Sequence, residues 1–258
     1  MMDLNFKSDI SDKYTSKSQI ARILTEKWMQ ENAYCLSCGN SHLSAFENNR
    51  PVADYFCSNC NEEYELKSKI GTKTGSKIVD GAYSTMIERV SSNNNPNLFF
   101  MNYCNIDWKV NSLMIIPKYY FIEDIIEKRK PLSISAKRAG WVGCNINISK
   151  IPEVGKIYLI KDSVVISKNE TQEKWQQTCF LKLETIEARG WLLDLMRCIE
   201  TIPNSTFTLA QVYSFERYLQ QAHPSNNHIK DKIRQQLQNL RDKGVIGFLG
   251  GGKYIKNT

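Results

Sequence analysis

The chain has no run approaching the roughly 20 apolar residues that a bilayer-spanning helix needs. Its start, MMDLNFKSDISDKYTSKSQ, has no basic segment followed by an apolar one. The expectation is therefore a protein that neither spans a membrane nor is secreted, residing in the cytoplasm. Internal repeats and low-complexity tracts are also missing, and the turn-rich SNNNPN at 92–97 serves only as a connector.

What is present is an ordinary globular composition, 41% hydrophobic and 24% charged over 258 residues, enough for one large domain or two average ones, and two are expected. The net charge of +7 suits a polyanionic partner, although a merely basic soluble protein fits it as well. Eight cysteines would allow disulfides, but a reducing compartment and paired C-x-x-C spacing favour metal. Cys104, Cys144, Cys179 and Cys198 are scattered and read as small buried hydrophobes.

Residues 16–31, SKSQIARILTEKWMQE, open with a Ser16/Gln19 capping box and place Ile20, Ile23, Leu24 and Trp28 on one helical face. From 33 to 69 short extended pieces are interrupted by Cys, Gly and Asn. DGAYSTMIERV (80–90) reads as helix, NLFFMNY and NSLMIIP as buried strands, and KIYLIKDSVVIS as a late strand pair. Alternation of this kind to about residue 183 predicts an α/β domain on one mixed sheet. A second unit, 184–258, reads as three helices and a hairpin, the order of a winged helix. In it Thr208 and Gln211 form a capping box before LAQVYSFERYLQQA, Asn226 or Asn227 caps HIKDKIRQQLQNLRDK, and Gly244 supplies the C′ stop. The stretch LKLETIEARG between the units permits many orientations.

Two constellations carry chemistry, and they overlap in one hairpin. Cys35, Cys38, Cys57 and Cys60 read C-x2-C-x18-C-x2-C, and four thiolates around a tetrahedral ion leave no position for substrate, so a structural zinc site is expected. His42 is surplus to that set and reads as a surface residue. In EYELKSK, a period-two strand places Glu65 and Lys67 on one face, with Tyr64 and Leu66 on the other, and Asp54 comes from the neighbouring strand. Two carboxylates at a sheet edge can hold Mg2+ by oxygen ligation while a lysine offsets negative charge on a substrate phosphate. D-x(n)-E-x-K is common, and taken alone a solvated strand face is the simpler reading. Beside a zinc knuckle and a winged helix, a DNA-directed nuclease accounts for all three features.

The stretches FENNRPVADYFC, YELKSK, DGAY, RAGWVGCNI and NNHIKDKIRQQLQNLRDK resemble, in the same order and over nearly the whole chain, the DpnI family of methyl-directed restriction endonucleases. The resemblance implies a PD-(D/E)xK-type catalytic domain with an embedded zinc site, and a winged helix, both reading methylated DNA. The implied reaction is Mg2+-dependent double-strand cleavage of GATC carrying N6-methyladenine. By the same resemblance Asp54 and Glu65 are metal ligands, Lys67 is the catalytic lysine, and Trp141 lines a methyladenine pocket; on its own Trp141 would read as a core residue. The family's Pro-Asp pair is interrupted here, with two residues between Pro51 and Asp54. Lys137 and Arg138, with EKRK at 127–130, supply basic density suited to phosphate contacts. Lys230, Arg234, Gln235 and Gln238 lie outside the apolar stripe of Ile229, Ile233, Leu237 and Leu240, where Arg and Gln suit base edges and Lys suits phosphate. The expected partner is double-stranded DNA, and the expected species is a monomer. A methyl-DNA-binding protein with an inactive nuclease fold, and a nuclease of other DNA specificity, are the rival readings.

Overall fold

The structure is a computed structural model describing residues 2–7, 16–47 and 53–257. Pro51 lies outside the described residues. The elements run α1 (Lys17–Asn32), β1 (Ser44–Ala45), β2 (Tyr55–Phe56), β3 (Glu63–Ile70), β4 (Lys77–Ala82), α2 (Tyr83–Ser91), β5 (Asn97–Cys104), β6 (Lys109–Ile116), β7 (Ile126–Lys128), β8 (Gly143–Asn147), β9 (Ile157–Lys161), β10 (Val164–Val165) and α3 (Lys168–Thr178). They continue through α4 (Ile186–Thr201), β11 (Thr206–Thr208), α5 (Leu209–Tyr213), α6 (Glu216–Ala222), α7 (Ile229–Asp242), β12 (Ile246–Gly250) and β13 (Lys253–Lys256).

A seven-stranded mixed sheet, ordered β1-β2-β3-β5-β6-β9-β10, forms the centre. Only β3 and β5 pair in parallel, Glu65 opposite Leu98 and Lys67 opposite Phe100. Strands buried on both faces read as continuous apolar runs, and β5 shows why: Leu98 and Phe100 enter one core while Phe99, Met101 and Tyr103 enter the other. Trp28 of α1 and Trp175 of α3 pack on the second face. A smaller sheet, β4-β8-β7, lies apart from the large one.

The C-terminal unit is a helix-turn-helix domain with a three-stranded sheet, β11-β13-β12, the mixed α/β plus winged-helix architecture that the sequence predicts. Its helices do not hang on a free linker. Trp191, Leu192 and Leu195 of α4 and Leu237 of α7 belong to the same apolar cluster as Leu98, Phe100 and Tyr120. Arg189 of α4, buried, donates to the Asn93 side chain at 2.8 Å.

Several local expectations change. Residues 80–82 finish strand β4 before α2 begins, so the predicted helix starts three residues late. LAQVYSFERYLQQA breaks into α5 and α6 at Ser214–Phe215, although its Thr208/Gln211 capping box forms. Ser16 occupies the N-cap of α1 without a capping hydrogen bond, and His228, not an asparagine, is N-cap of α7, while Asn226 accepts from the His228 backbone at 2.8 Å. Gly244 closes α7 at φ +72°, where a side chain would be strained.

Because Leu237 is fully buried on the inner face of α7, Leu237→Ala should lower unfolding free energy by about 2–5 kcal/mol in urea titrations.

Candidate active site and DNA interface

The two cysteine pairs sit on matching turns. The Gly39 N–H donates to the Cys35 carbonyl at 2.9 Å and the Asn61 N–H to that of Cys57 at 2.8 Å. The residue after each second cysteine is left-handed, Gly39 at φ +77° and Asn61 at φ 59°, conformations open to glycine and tolerated by asparagine. All four sulfurs lie within 4.8 Å of one another, and Cys35–Cys60 and Cys38–Cys57 are each 3.5 Å apart. Disulfide sulfurs stand about 2.05 Å apart, so these are thiols. A tetrahedron of Zn–S bonds of about 2.3 Å puts sulfurs about 3.8 Å apart, which this set meets closely. Tyr64 and Cys35 share a hydrogen bond of 3.0 Å, and the Asn40 amide donates to Cys57 at 3.6 Å, the donors a thiolate cluster requires. Burial pushes the Cys35 thiol up, whereas Cys38 resists desolvation through hydrogen bonds from Asn59, Asn40 and the neighbouring thiols and falls to about 6. His42 is exposed and outside the cluster; of the scattered cysteines, Cys144 and Cys198 are buried and Cys104 and Cys179 half-buried.

The knuckle holds β2 against β3, and Asp54 immediately precedes β2. The Asp54 N–H donates to the Tyr64 carbonyl, and its Oδ2 accepts the next ladder donor, the Leu66 N–H, at 2.7 Å. Asp54 thus caps the point where β3 loses its strand neighbour, in a groove shared with Leu66, Ser68 and Arg22 of α1. Glu65 and Lys67 leave β3 on the other face, into a cavity of about 280 Å3 shared with Asp80, Met86 and Arg89. Lys67 Nζ lies 2.6 Å from Glu65 Oε1 and 2.6 Å from Asp80 Oδ1. The structure therefore brings Glu65 and Lys67 together and holds Asp54 at the strand edge; among the described residues, the four cysteines alone place three or more metal-ligating atoms within 4.8 Å of one another.

Asp80 and Arg89 were not singled out from the sequence as site residues. Reading 80–90 as helix hid Asp80, although KIVDGA has the alternation of a strand. A register shift between Asp80 and Ala82 in the β4–β8 ladder leaves Gly81 as an added residue, a device that re-aims a side chain. Burial is the largest influence on Glu65, reinforced by Asp80 and Asp54 and opposed by Lys67, and its carboxyl rises to about 7. Desolvation would lower the Lys67 ammonium, but the two carboxylates outweigh it and raise its pKa.

The small sheet also carries Trp141, two residues before Gly143, which pairs with Ala82. The indole lies against Gly143, where a Cβ would stand 2.8 Å from the ring, and the Arg138 guanidinium sits 4.5 Å from its centroid. Lys137 is exposed on the same loop, with Ile134 almost fully exposed near its tip. On α7, Lys230, Arg234, Gln235 and Gln238 are all exposed. Lys230 pairs with Glu216 at 3.3 Å and Arg234 bonds the Tyr213 hydroxyl, so both lean toward the preceding helices. Gln235 faces the helix start with Asn226, Asn227, His228 and Lys232.

A mixed-sheet domain with a carboxylate–lysine site and a thiolate knuckle, joined to a helix-turn-helix, defines a nuclease-type protein with a DNA-binding appendage. Residues 2–184 match the DpnI Dam-replacing family and residues 187–256 the DpnI C-terminal Dam-replacing HTH domain, and the chain belongs to that family. No helix among the described residues is long and apolar enough to cross a membrane.

Purified protein should carry about one tightly held zinc per chain by elemental analysis, and Cys57→Ser should lose it together with stability. For Glu65, the unfolded carboxyl releases its proton near 4.5 and the folded one near 7. Between those values the unfolded chain holds fewer protons, so this residue's contribution to stability falls as pH rises. In magnesium-free buffer, the stability of Glu65→Gln relative to the parent should climb across that window and level off on either side, read by urea melts; a flat difference contradicts the assignment.

Proposed function

We propose that this chain is a methylation-dependent, site-specific endonuclease making double-strand cuts in GATC sequences that carry N6-methyladenine. In this reading residues 1–183 form the catalytic domain and residues 184–258 a winged helix that shares in reading the site. The observation that carries it is the pairing of Glu65 and Lys67 in one cavity beside the Asp54 edge, in a chain whose two parts both match the DpnI family.

The residues fit a divalent cation by donor chemistry: both carboxylates supply hard oxygen, and Asp54 Oδ1 and Glu65 Oε2 have no hydrogen-bond partner among the described residues. Asp54 and Glu65 would hold Mg2+, which supplies charge neutralisation and an acidified water. Lys67 keeps an ammonium next to the place where negative charge grows on the phosphate, and its three N–H groups exceed its two carboxylate partners, leaving one for substrate. The four-cysteine cluster would hold zinc and do no chemistry, because four thiolates fill a tetrahedral ion's coordination.

Trp141 offers an apolar face for a methyl group, and the Arg138 cation over it shows a ring that takes stacking partners. Burying one methyl yields about 0.8 kcal/mol, a factor of about four in affinity. Strict dependence on methylation therefore needs more than one methyl contact, which two reading domains provide. In the winged helix the exposed Gln235, Gln238 and Arg234 suit base edges and Lys230 a phosphate, with Lys137 and Arg138 of the catalytic domain adding phosphate contacts.

The test is digestion with Mg2+ of one GATC-containing plasmid in adenine-methylated and unmethylated forms. Cutting of the methylated plasmid alone is expected, with Asp54→Ala abolishing cleavage and leaving binding largely in place. Cutting of both forms removes the methyl pocket; binding without cutting makes the chain a methyl-DNA-binding protein.

A further inference from the structure

Asp80 is a buried carboxylate whose surroundings do not explain it as a structural acid. Its side chain is 4% exposed and comes from the small sheet, whereas Lys67 comes from the large one. Oδ1 accepts both the Lys67 ammonium at 2.6 Å and the Gly81 N–H at 2.7 Å. Oδ2 is buried with no partner, although it belongs to a residue lining the cavity with Glu65, Lys67 and Arg89, and Arg89 Nη1 is likewise buried without one. An acid kept only to support the fold would have both oxygens satisfied, since an unmet buried acceptor costs about 1–3 kcal/mol.

We propose that Asp80 is the positioning residue of this site, the anchor that holds Lys67 toward the reacting phosphate. The inference rests on the nuclease reading above. Lys67 has two carboxylate partners on two strands, and Glu65 is the one that a divalent cation would claim. With Glu65 engaged by a cation, Asp80 would be the remaining anion that fixes the ammonium, and the Gly81 N–H fixes Asp80 in turn. The bulge at Gly81 is the backbone feature that aims this carboxylate across the gap between the sheets.

The experiment compares wild type, Asp80→Asn and Asp80→Glu. Asparagine is isosteric and can still accept from Gly81, so folding is preserved, and glutamate keeps the charge should asparagine fail to fold. Single-turnover cleavage of methylated plasmid by Asp80→Asn should slow roughly 10- to 100-fold. DNA affinity measured with Ca2+ in place of Mg2+ should stay within about twofold, because the lost interaction acts in the transition state. Asp80→Glu should recover part of the rate. The ammonium resonance of Lys67, followed by NMR in 15N-lysine protein with and without Ca2+, should lose its protection from exchange in Asp80→Asn. Cleavage by Asp80→Asn at the wild-type rate, or an unchanged Lys67 resonance, overturns the assignment. A wild type that cuts no DNA removes the nuclease reading, and the Lys67 resonance then decides the anchoring by itself.

Discussion

One ammonium group shared between the buried Asp80 and the half-buried Glu65 is the constraint around which the site is arranged. Lys67 cannot leave Glu65 and Asp80 without stranding charge in a low-dielectric cavity, where removing one member of a buried pair costs about 3–5 kcal/mol. The contact spans two sheets, so the spacing of β3 from β4 is set by an electrostatic bond as well as by packing. Burial first, and then the neighbouring acids Asp80 and Asp54, leave the Glu65 carboxyl high against the opposing pull of Lys67.

The four-cysteine cluster acts one step removed. By tying the 35–38 turn to the 57–60 turn it fixes the β2–β3 hairpin, whose register sets Tyr55 opposite Tyr64. That register delivers the Asp54 carboxylate to the Leu66 N–H, one residue from Glu65 and Lys67. Short hairpins are marginal in water, and a cysteine cluster that ties the two turns together supports a two-residue strand that its own hydrogen bonds could not.

The winged helix is joined to this arrangement by apolar packing. Aromatic residues Tyr119, Tyr120 and Phe121 carry the core from the sheet to α4, and the Arg189–Asn93 bond crosses the same boundary. Trp141, on the loop leading into β8, sits next to the strand that carries Asp80, so the proposed methyl-reading surface and the proposed lysine anchor lie at one small sheet.

Short-range rules made much of this legible in the sequence. C-x-x-C spacing names its own chemistry, period-two alternation placed Glu65 and Lys67 on one face, and the stripe of Ile229, Ile233, Leu237 and Leu240 defined α7, because each signal lies within one element. The resemblance of the ordered motifs carried the family. Tertiary structure alone decided that Asp80 meets Lys67, that Asp54 spends one oxygen on a backbone donor, that Lys230 and Arg234 lean onto Tyr213, and that the linker gives way to a shared core. Those contacts join residues distant in the chain or depend on a one-residue bulge, and a local pattern holds no record of which distant partner will arrive to satisfy a charge.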